Sequence, residues 1–313
     1  MKQFSKLVQN ENMKIFRRVG TKVMFLLLLV VVVVIGLFSR FLFADEMHGQ
    51  QSSNVGISVE VQGENEELPE EIRIQMEDEI ALQDYYEKEG IEALTSKHAW
   101  NFIITNAQTI AFVTMFTVIV GAGIVASEHS NGTIKLLLIR PVKRWKILLS
   151  KWTATMIFSI VMLIALILFS FIVGAVLFQF DFGPNRWVSV VQGEIRDWHI
   201  LQYAFTVYGL YFIELIIMTT FAFMIGTVFK NQSLAVGLSL VALFMGGQIV
   251  YLLSQYEWIK YILFSNTYLM QYVEQNPIIE GMTLSFSIVM LLGYFLLFMA
   301  IAMITFSKRD VAE

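Results

Sequence analysis

Long apolar runs separated by polar segments dominate the pattern of this chain. The first run has no polar side chain between residues 23 and 38. A helix of about 20 apolar residues crosses a hydrocarbon layer of about 30 Å. We therefore predict an all-α polytopic membrane protein with six spanning helices. The predicted spans are residues 23–43, 102–126, 153–178, 203–229, 234–253 and 283–306.

Composition supports this interpretation. Of the 313 residues, 56% are hydrophobic and 15% are charged, whereas a soluble domain carries about 25% charged residues. The chain has no cysteine, which excludes disulfide frameworks, thiolate metal sites and cysteine nucleophiles. The first run follows about 22 mostly polar residues and is not closed by a small-x-small cleavage site, so we interpret it as a retained anchor.

The basic residues predict the orientation of the spans. The N-terminal side of the predicted membrane holds 15 of the 22 basic residues and only 4 of the 26 acidic ones, and the opposite side holds 21 of the acids. Basic residues accumulate on the cytoplasmic side of membrane proteins. We expect a multi-pass protein of the cell membrane with both termini, including the tail at 307–313, in the cytoplasm.

The segment before the first span, residues 1–22, has apolar residues at helical spacing. Lysine and asparagine alternate with these positions, which are Phe4, Leu7, Val8, Ile15 and Phe16. The pattern predicts an amphipathic helix in the inner interface, with its basic residues attracted to anionic membrane lipid. A disordered tail is the alternative.

Residues 44–101 form a predicted extracellular α+β insert between the first two spans. Ile57, Val59 and Val61 alternate with polar residues, which predicts a short strand, and a helix is predicted from Pro69. The insert is strongly acidic. This acidity is typical of a solvated face, and the alternative is that it gathers cationic substrates. Two further outer loops are a predicted hairpin turning near Gly193 and a re-entrant segment at 254–282.

The cytoplasmic segment at 127–152 is the most informative stretch. Gly132 permits a sharp exit from the second span, and Pro141 ends one helical piece and starts another turn. The segment predicts a short helix joined rigidly to two spans. An ordinary basic loop obeying the positive-inside rule is the alternative, but that rule explains only the lysines and arginines.

The residues of this segment resemble the signature of permease subunits of ABC-2-type transporters. The similarity covers the whole chain and includes the opening Asn10–Lys14 and the short loop Lys230–Gln232, although the insert at 44–101 is longer than in the shortest members. In that family the segment forms a coupling helix seated in a cleft of the ATP-binding subunit. The matching positions are Glu128, Gly132, Thr133, Leu137, Leu138, Arg140, Pro141, Arg144 and Lys151.

The resemblance implies partners that this chain lacks. No Gly-x-x-x-x-Gly-Lys-Ser/Thr phosphate loop occurs in the sequence, so ATP and Mg²⁺ are expected in a separate ATPase subunit, present in two copies. A second permease subunit, identical or related, is also implied. We expect no cofactor, metal site, catalytic residue or nucleic-acid partner in this chain. Seven residues are implied in coupling: Glu128, Gly132, Thr133, Leu137, Arg140, Pro141 and Arg144.

Polar residues within the spans are candidates for a translocation path. Glu214 lies near the middle of the fourth span, where a charged carboxylate is costly. It is either a contact for a cation, proton or cationic substrate, or a protonated group hydrogen-bonded to a neighbouring helix. Asn106 and Gln248 either line the same path or form interhelical hydrogen bonds.

The resemblance therefore implies the membrane subunit of an ATP-driven exporter, with a peptide or drug as the expected substrate. One alternative is a membrane component that senses a ligand and relays a signal without bulk transport. A membrane-embedded enzyme using Glu214 and outer carboxylates is a further alternative, disfavoured because no catalytic motif such as His-Glu-x-x-His or Gly-x-Ser-x-Gly occurs.

Overall fold

The computed structural model describes residues 2–50, 70–130, 132, 142–191, 193–274, 277–279 and 281–308. Helices dominate these residues, and short 3-10 turns occupy Asn106–Thr109, Glu257–Tyr261 and Leu269–Tyr272. The α-helices are α1 (Lys2–Arg17), α2 (Val19–Gln50), α3 (Glu70–Glu89), α4 (Ala99–Thr105), α5 (Ile110–Ser130), α6 (Arg144–Leu177), α7 (Ile200–Val228), α8 (Gln232–Leu252), α9 (Leu263–Thr267) and α10 (Leu284–Lys308).

Six helical segments are long and apolar enough to cross a membrane, which confirms the predicted number of spans. The second runs through α4, a 3-10 turn and α5. The third begins at Arg144, nine residues before the predicted start, because α6 continues without a break from its polar first turns into the apolar run. The segments are Val19–Phe41, Ala99–Ser130, Arg144–Leu177, Ile200–Val228, Gln232–Leu252 and Leu284–Lys308.

The N-terminal segment is a helix, α1, rather than a disordered tail. Val8, Glu11 and Ile15 are buried along one side of it, since residues three and four apart share a helix face. Arg18 interrupts the helix before α2 begins. The Thr21 hydroxyl donates a hydrogen bond of 2.6 Å to the Ile15 carbonyl and so fixes this junction.

One compact unit comprises Met1–Leu29, Gln108–Leu166 and Gly209–Glu313. Within it α5 and α7 approach closely. A Cβ atom at Gly226 would lie 2.1 Å from the carbonyl oxygen of Ala122, and one at Gly121 would lie 3.2 Å from the carbonyl oxygen of Thr219. Small residues let membrane helices pack backbone to backbone, and Gly121 and Gly226 permit this close approach of α5 and α7.

The segment after α8 belongs to the same unit and folds into 3-10 turns and the short helix α9. It packs against α8 and α10. Asn266 of α9 accepts a hydrogen bond of 2.7 Å from the Ser287 hydroxyl of α10, and a Cβ at Gly246 would overlap the Phe264 ring. The predicted re-entry of this segment into the bilayer stays a prediction.

The second compact unit comprises Val30–Ala107 and Ile167–Tyr208. It contains the antiparallel hairpin of β1 (Arg186–Val191) and β2 (Glu194–His199), whose two-residue turn includes Gly193 at a φ of 76°. Helix α3 contacts β1, and the Tyr85 hydroxyl donates a hydrogen bond of 3.2 Å to Asp197. The described α+β pair is thus assembled from two loops, whereas the strand predicted at 57–61 lies outside the described residues.

Candidate functional site

Four charged side chains meet where α5 ends and α6 begins. Glu11 and Lys14 come from α1, Glu128 from the last turn of α5 and Lys151 from α6. We call these four residues the Glu–Lys cluster. The side chains of Lys151, Glu11 and Glu128 are only 1%, 6% and 13% exposed, whereas Lys14 is 42% exposed. The cluster is therefore an internal ion network of two acids and two bases, open to solvent at Lys14.

Lys151 is the centre of this network. Its ammonium group donates to Glu11 Oε2 at 2.8 Å and to Glu128 Oε1 at 2.6 Å. Lys14 bridges the same two acids, at 2.8 Å from Glu11 Oε1 and 3.3 Å from Glu128 Oε1. Because each lysine contacts both carboxylates, the network joins α1 to α5 and α6, which come much later in the sequence.

Local sequence explains why the charges need each other. Glu11 lies on the buried side of α1 between Val8 and Ile15, where a lone carboxylate would be poorly solvated. Glu128 lies two residues before the end of α5, where the negative end of the helix dipole disfavours an acid. Lys151 offsets both effects, and removing one partner of such a buried pair costs about 3–5 kcal/mol.

Charge pairing also decides the protonation of the α1 residues. Burial by itself would raise the pKa of Glu11, but the ammonium groups of Lys151 and Lys14 outweigh burial and hold that pKa below its usual value of 4.5. Burial would lower the pKa of Lys14, but Glu11 and then Glu128 outweigh it and raise that pKa above 10.5. Both residues are therefore charged at neutral pH.

The predicted coupling residues fall partly within the described chain. Glu128 belongs to the Glu–Lys cluster. Gly132 has a φ of 68°, the left-handed conformation that commonly ends a helix. At the start of α6, the Arg144 guanidinium donates a hydrogen bond of 3.0 Å to the Ser307 carbonyl in the last turn of α10. The other predicted coupling residues lie outside the described residues: Thr133, Leu137, Arg140 and Pro141.

The end of α5 is also tied to the turn between α7 and α8. The Ser130 hydroxyl donates to the Lys230 carbonyl and accepts from the Gln232 amide, each at 3.1 Å. Asn231 caps α8 by accepting from the Leu234 amide at 3.1 Å. The C-terminal ends of α5 and α7 and the N-terminal end of α8 are therefore linked.

A second group of polar side chains centres on Tyr268 and includes Glu214 of α7. Tyr268 donates to the Glu274 carboxylate, with oxygen distances of 3.1 and 3.3 Å. Burial and then the Glu274 charge raise the pKa of Tyr268, with smaller contributions from Tyr211 and Glu214. Tyr268 therefore lies within electrostatic reach of two acids, Glu274 and Glu214, and of the Tyr211 phenol. We call these four residues the Glu–Tyr group. Among the described residues, neither Glu214 nor Glu274 forms an ion pair with a basic side chain.

The other two path candidates differ from each other. Asn106 is 2% exposed, and its amide donates to the Ser170 hydroxyl of α6 at 2.5 Å. Asn106 thus forms a buried interhelical hydrogen bond, which was the alternative to a place in the translocation path. Gln248 lies on α8 with its side chain exposed beside Gly247. Lipid cannot satisfy an amide, so this position needs a polar neighbour.

Some residues of both groups were missed by sequence reasoning. Glu11 and Lys14 stand in the quoted opening motif, but a contact across 140 residues left no local signal. Tyr211 could have been noticed, because it lies one helical turn before Glu214 on the same face. Tyr268 and Glu274 lie on an irregular segment whose position no periodicity predicts. Among the described residues no group of three His, Cys, Asp or Glu is arranged to hold a metal ion.

Comparison with known proteins places the chain in a family. It is 35% identical over 316 residues to the uncharacterized protein YhcI of Bacillus subtilis, an alignment that covers 98% of this chain and 99% of that protein. It is 30% identical over 198 residues to the uncharacterized membrane protein YdbK of the same organism, covering 62% of this chain and 76% of the relative. The model of DUF2705, described as a protein of unknown function, matches residues 71–312. The chain belongs to the DUF2705 family.

Proposed function

We propose that this chain is the membrane subunit of an ATP-binding-cassette exporter of the ABC-2 type, driven by a separate ATPase subunit. The observation that carries the proposal is the Glu–Lys cluster. It holds α1, the end of α5 and the start of α6 in one rigid assembly at the two ends of residues 131–143. A motor bound to that loop can push on the spans only if the loop is anchored rigidly, and this cluster supplies the anchor.

The assembly is suited to transmit force. A displacement of the loop reaches α6 through Arg144, which is bonded to the end of α10. It reaches the turn between α7 and α8 through Ser130. Short hydrogen bonds and buried ion pairs deform little, so the connected helix ends would move together. Both termini are proposed to lie with this assembly on the cytoplasmic side, in keeping with the charge distribution of the sequence.

The substrate path is proposed to run beside α7 and α8, between two paired subunits. Gln248 presents an amide on the exposed face of α8, and Glu214 presents a carboxylate on α7. Both groups gain from a polar path or a polar neighbour within the membrane. A peptide or drug with a cationic group is the substrate class that such carboxylates favour.

The first experiment is co-purification of the tagged full-length chain from its own membranes, followed by an ATPase assay. We expect an ATP-binding subunit to co-purify, and Glu128→Gln to lower ATPase activity or abolish its stimulation. Glu77→Gln is the matched control, because it removes a carboxylate of the exposed pair Arg73–Glu77, whose side chains are 63% and 69% exposed. Recovery of intact chain without any ATP-binding subunit would refute the proposal.

A sensing component is the second candidate. The observation in its favour is the contact of α3 with the β1–β2 hairpin, which gives the second compact unit an ordered surface outside the spans. Reconstituted vesicles distinguish the two functions. An exporter moves substrate with ATP consumption, whereas a sensor changes ATPase activity on ligand addition without moving the ligand.

A further inference from the structure

A groove runs along α1 on the side next to the buried face. Its volume is about 650 Å³. The lining combines apolar side chains with polar groups, and all but one of them come from α1. They are Phe4, Ser5, Val8, Gln9, Asn12, Met13, Phe16 and, at α6, Thr153. The spacing of the α1 residues follows the helix from its first turn to its last, so the groove is elongated along the helix axis.

One residue that lines the groove, Asn12, carries a polar atom without a hydrogen bond. The Oδ1 atom of Asn12 is buried and has no partner among the described residues. A buried acceptor of this kind costs free energy unless a donor is supplied. The apolar part of the lining comes from α1 itself, and Phe16 is held in place there by packing edge-on against Phe158 of α6 at 5.9 Å between ring centroids. The site therefore suits an elongated molecule with an apolar chain and at least one hydroxyl donor.

Two basic residues flank the open edge of the groove. Lys6, Gln9, Met13 and Arg17 fall at i, i+3, i+7 and i+11, which places them on one strip of the helix. Gln9 and Met13 line the groove, and Lys6 and Arg17 are exposed at its two ends. Their charges favour an anionic group beside an apolar channel.

We propose that this groove binds one anionic phospholipid with a hydroxylated headgroup, of the phosphatidylglycerol class. An acyl chain lies along Phe4, Val8 and Phe16, the phosphate lies near Lys6 or Arg17, and a headgroup hydroxyl donates to Asn12. Basic residues on an amphipathic helix attract anionic lipid, and the groove adds a fixed seat to that attraction. The lipid site is independent of the exporter proposal, because it requires no ATPase.

The test is native mass spectrometry of the full-length chain, purified in mild detergent and supplied with equal amounts of phosphatidylglycerol and phosphatidylcholine. We expect retention of one phosphatidylglycerol in preference to phosphatidylcholine. Ser5→Trp, which fills the exposed part of the groove, should reduce retention on the order of tenfold. Gln3→Trp is the control, since Gln3 is exposed on α1 and does not line the groove.

A variant with two charges removed distinguishes lipid binding in the groove from general attraction of α1 to anionic membrane lipid. Lys6→Ala with Arg17→Ala should weaken retention of phosphatidylglycerol on the order of tenfold, whereas Arg18→Ala with Lys22→Ala removes the same charge away from the strip and should leave it unchanged. Equal retention of both lipids, or equal loss in the two charge variants, would overturn the proposal. So would retention that Ser5→Trp does not alter. Displacement of the lipid by glycerol phosphate alone would also contradict it, because it would show that the acyl groove contributes nothing.

Discussion

The Glu–Lys cluster and the Glu–Tyr group differ in whether their acidic side chains are paired with basic ones. At the end of α5, Glu11 and Glu128 share Lys151, whose side chain is 1% exposed. In the Glu–Tyr group, Tyr268 has two acids, Glu274 and the Glu214 of α7, and Tyr211 as its electrostatic neighbours. Within the described chain, both acids of the Glu–Lys cluster are paired with lysines. Neither acid of the Glu–Tyr group forms an ion pair with a basic side chain there.

This difference in pairing predicts a structural role for the Glu–Lys cluster and a role in binding for the Glu–Tyr group. A carboxylate that is neutralised within the chain contributes to the architecture, and its removal leaves an uncompensated lysine. A carboxylate without a basic partner can be replaced by an amide at little cost in stability, because no opposite charge is stranded. Under the proposed function, the Glu–Lys cluster should therefore affect folding and coupling, whereas the Glu–Tyr group should affect transport of the substrate.

Lys151→Met should have the largest effect. It leaves Glu11 and Glu128 without their shared buried cation, which we expect to cost about 3–5 kcal/mol of the free energy of unfolding. Thermal or SDS unfolding of the purified chain measures this. The control is Lys88→Met, which removes an exposed lysine paired with Asp84 and should cost about 0–1 kcal/mol. Equal stability of the two variants would show that the cluster is not a structural anchor.

Glu214→Gln should lower export and leave stability unchanged. We expect export into vesicles to fall by about tenfold or more, equivalent to ~1.4 kcal/mol in the barrier, with an unchanged unfolding midpoint. Transport and unfolding are measured on the same preparation. Export at the unmodified rate would assign Glu214 a structural role and remove it from the path.

The attachment of α1 to α6 should weaken at low pH and at high pH. The pKa of Glu11 is lowered in the folded chain, so its contribution is present above pH 4.5 and is lost as pH falls through the lowered value. The pKa of Lys14 is raised, so its contribution is present below pH 10.5 and is lost as pH rises through the raised value.

Spin labels on α1 and α6 measure this attachment as an inter-label distance across the pH range. We expect a constant distance between about pH 5 and 10. Glu11→Gln should remove the acidic limit and leave the alkaline one. An acidic limit that persists in this variant would have to come from another group.

Lys14→Met should have the smallest effect. Lys14 is 42% exposed and contacts acids that Lys151 also neutralises, so we expect a loss of about 0–1 kcal/mol. Comparison with Lys151→Met, in the same unfolding assay, tests whether burial decides the worth of an ion pair. A loss as large as that of Lys151→Met would mean that all four charges act as one unit.

The spans could be predicted from sequence because each depends only on a local run of apolar residues. The helix α3 and the hairpin turn at Gly193 were also predicted from local signals. The predicted third span begins at residue 153, whereas α6 begins at Arg144, because the polar residues before the apolar run continue the helix. Hydropathy marks the apolar part of a helix, but it does not show whether the helix ends at the membrane surface or continues beyond it.

The sites were predicted less completely, because they depend on distant parts of the chain. Glu128 was named from a motif, but its contacts with Lys14 and Lys151 are set by how three helices meet. Glu214 was named from its position in a span, and its neighbours Tyr268 and Glu274 come from an irregular segment. A single sequence contains the residues of such sites but not the contacts between them.

The separation of Glu11 and Lys151 also sets an order of events during synthesis. These residues are 140 positions apart, and chains grow at about 5–20 residues per second. The first helix therefore waits about 7–28 s before its cation is made, and two spans must enter the membrane in that time. Until then Glu11 stays hydrated at the surface, so a ribosome-bound chain that stops before residue 151 should leave α1 accessible to protease.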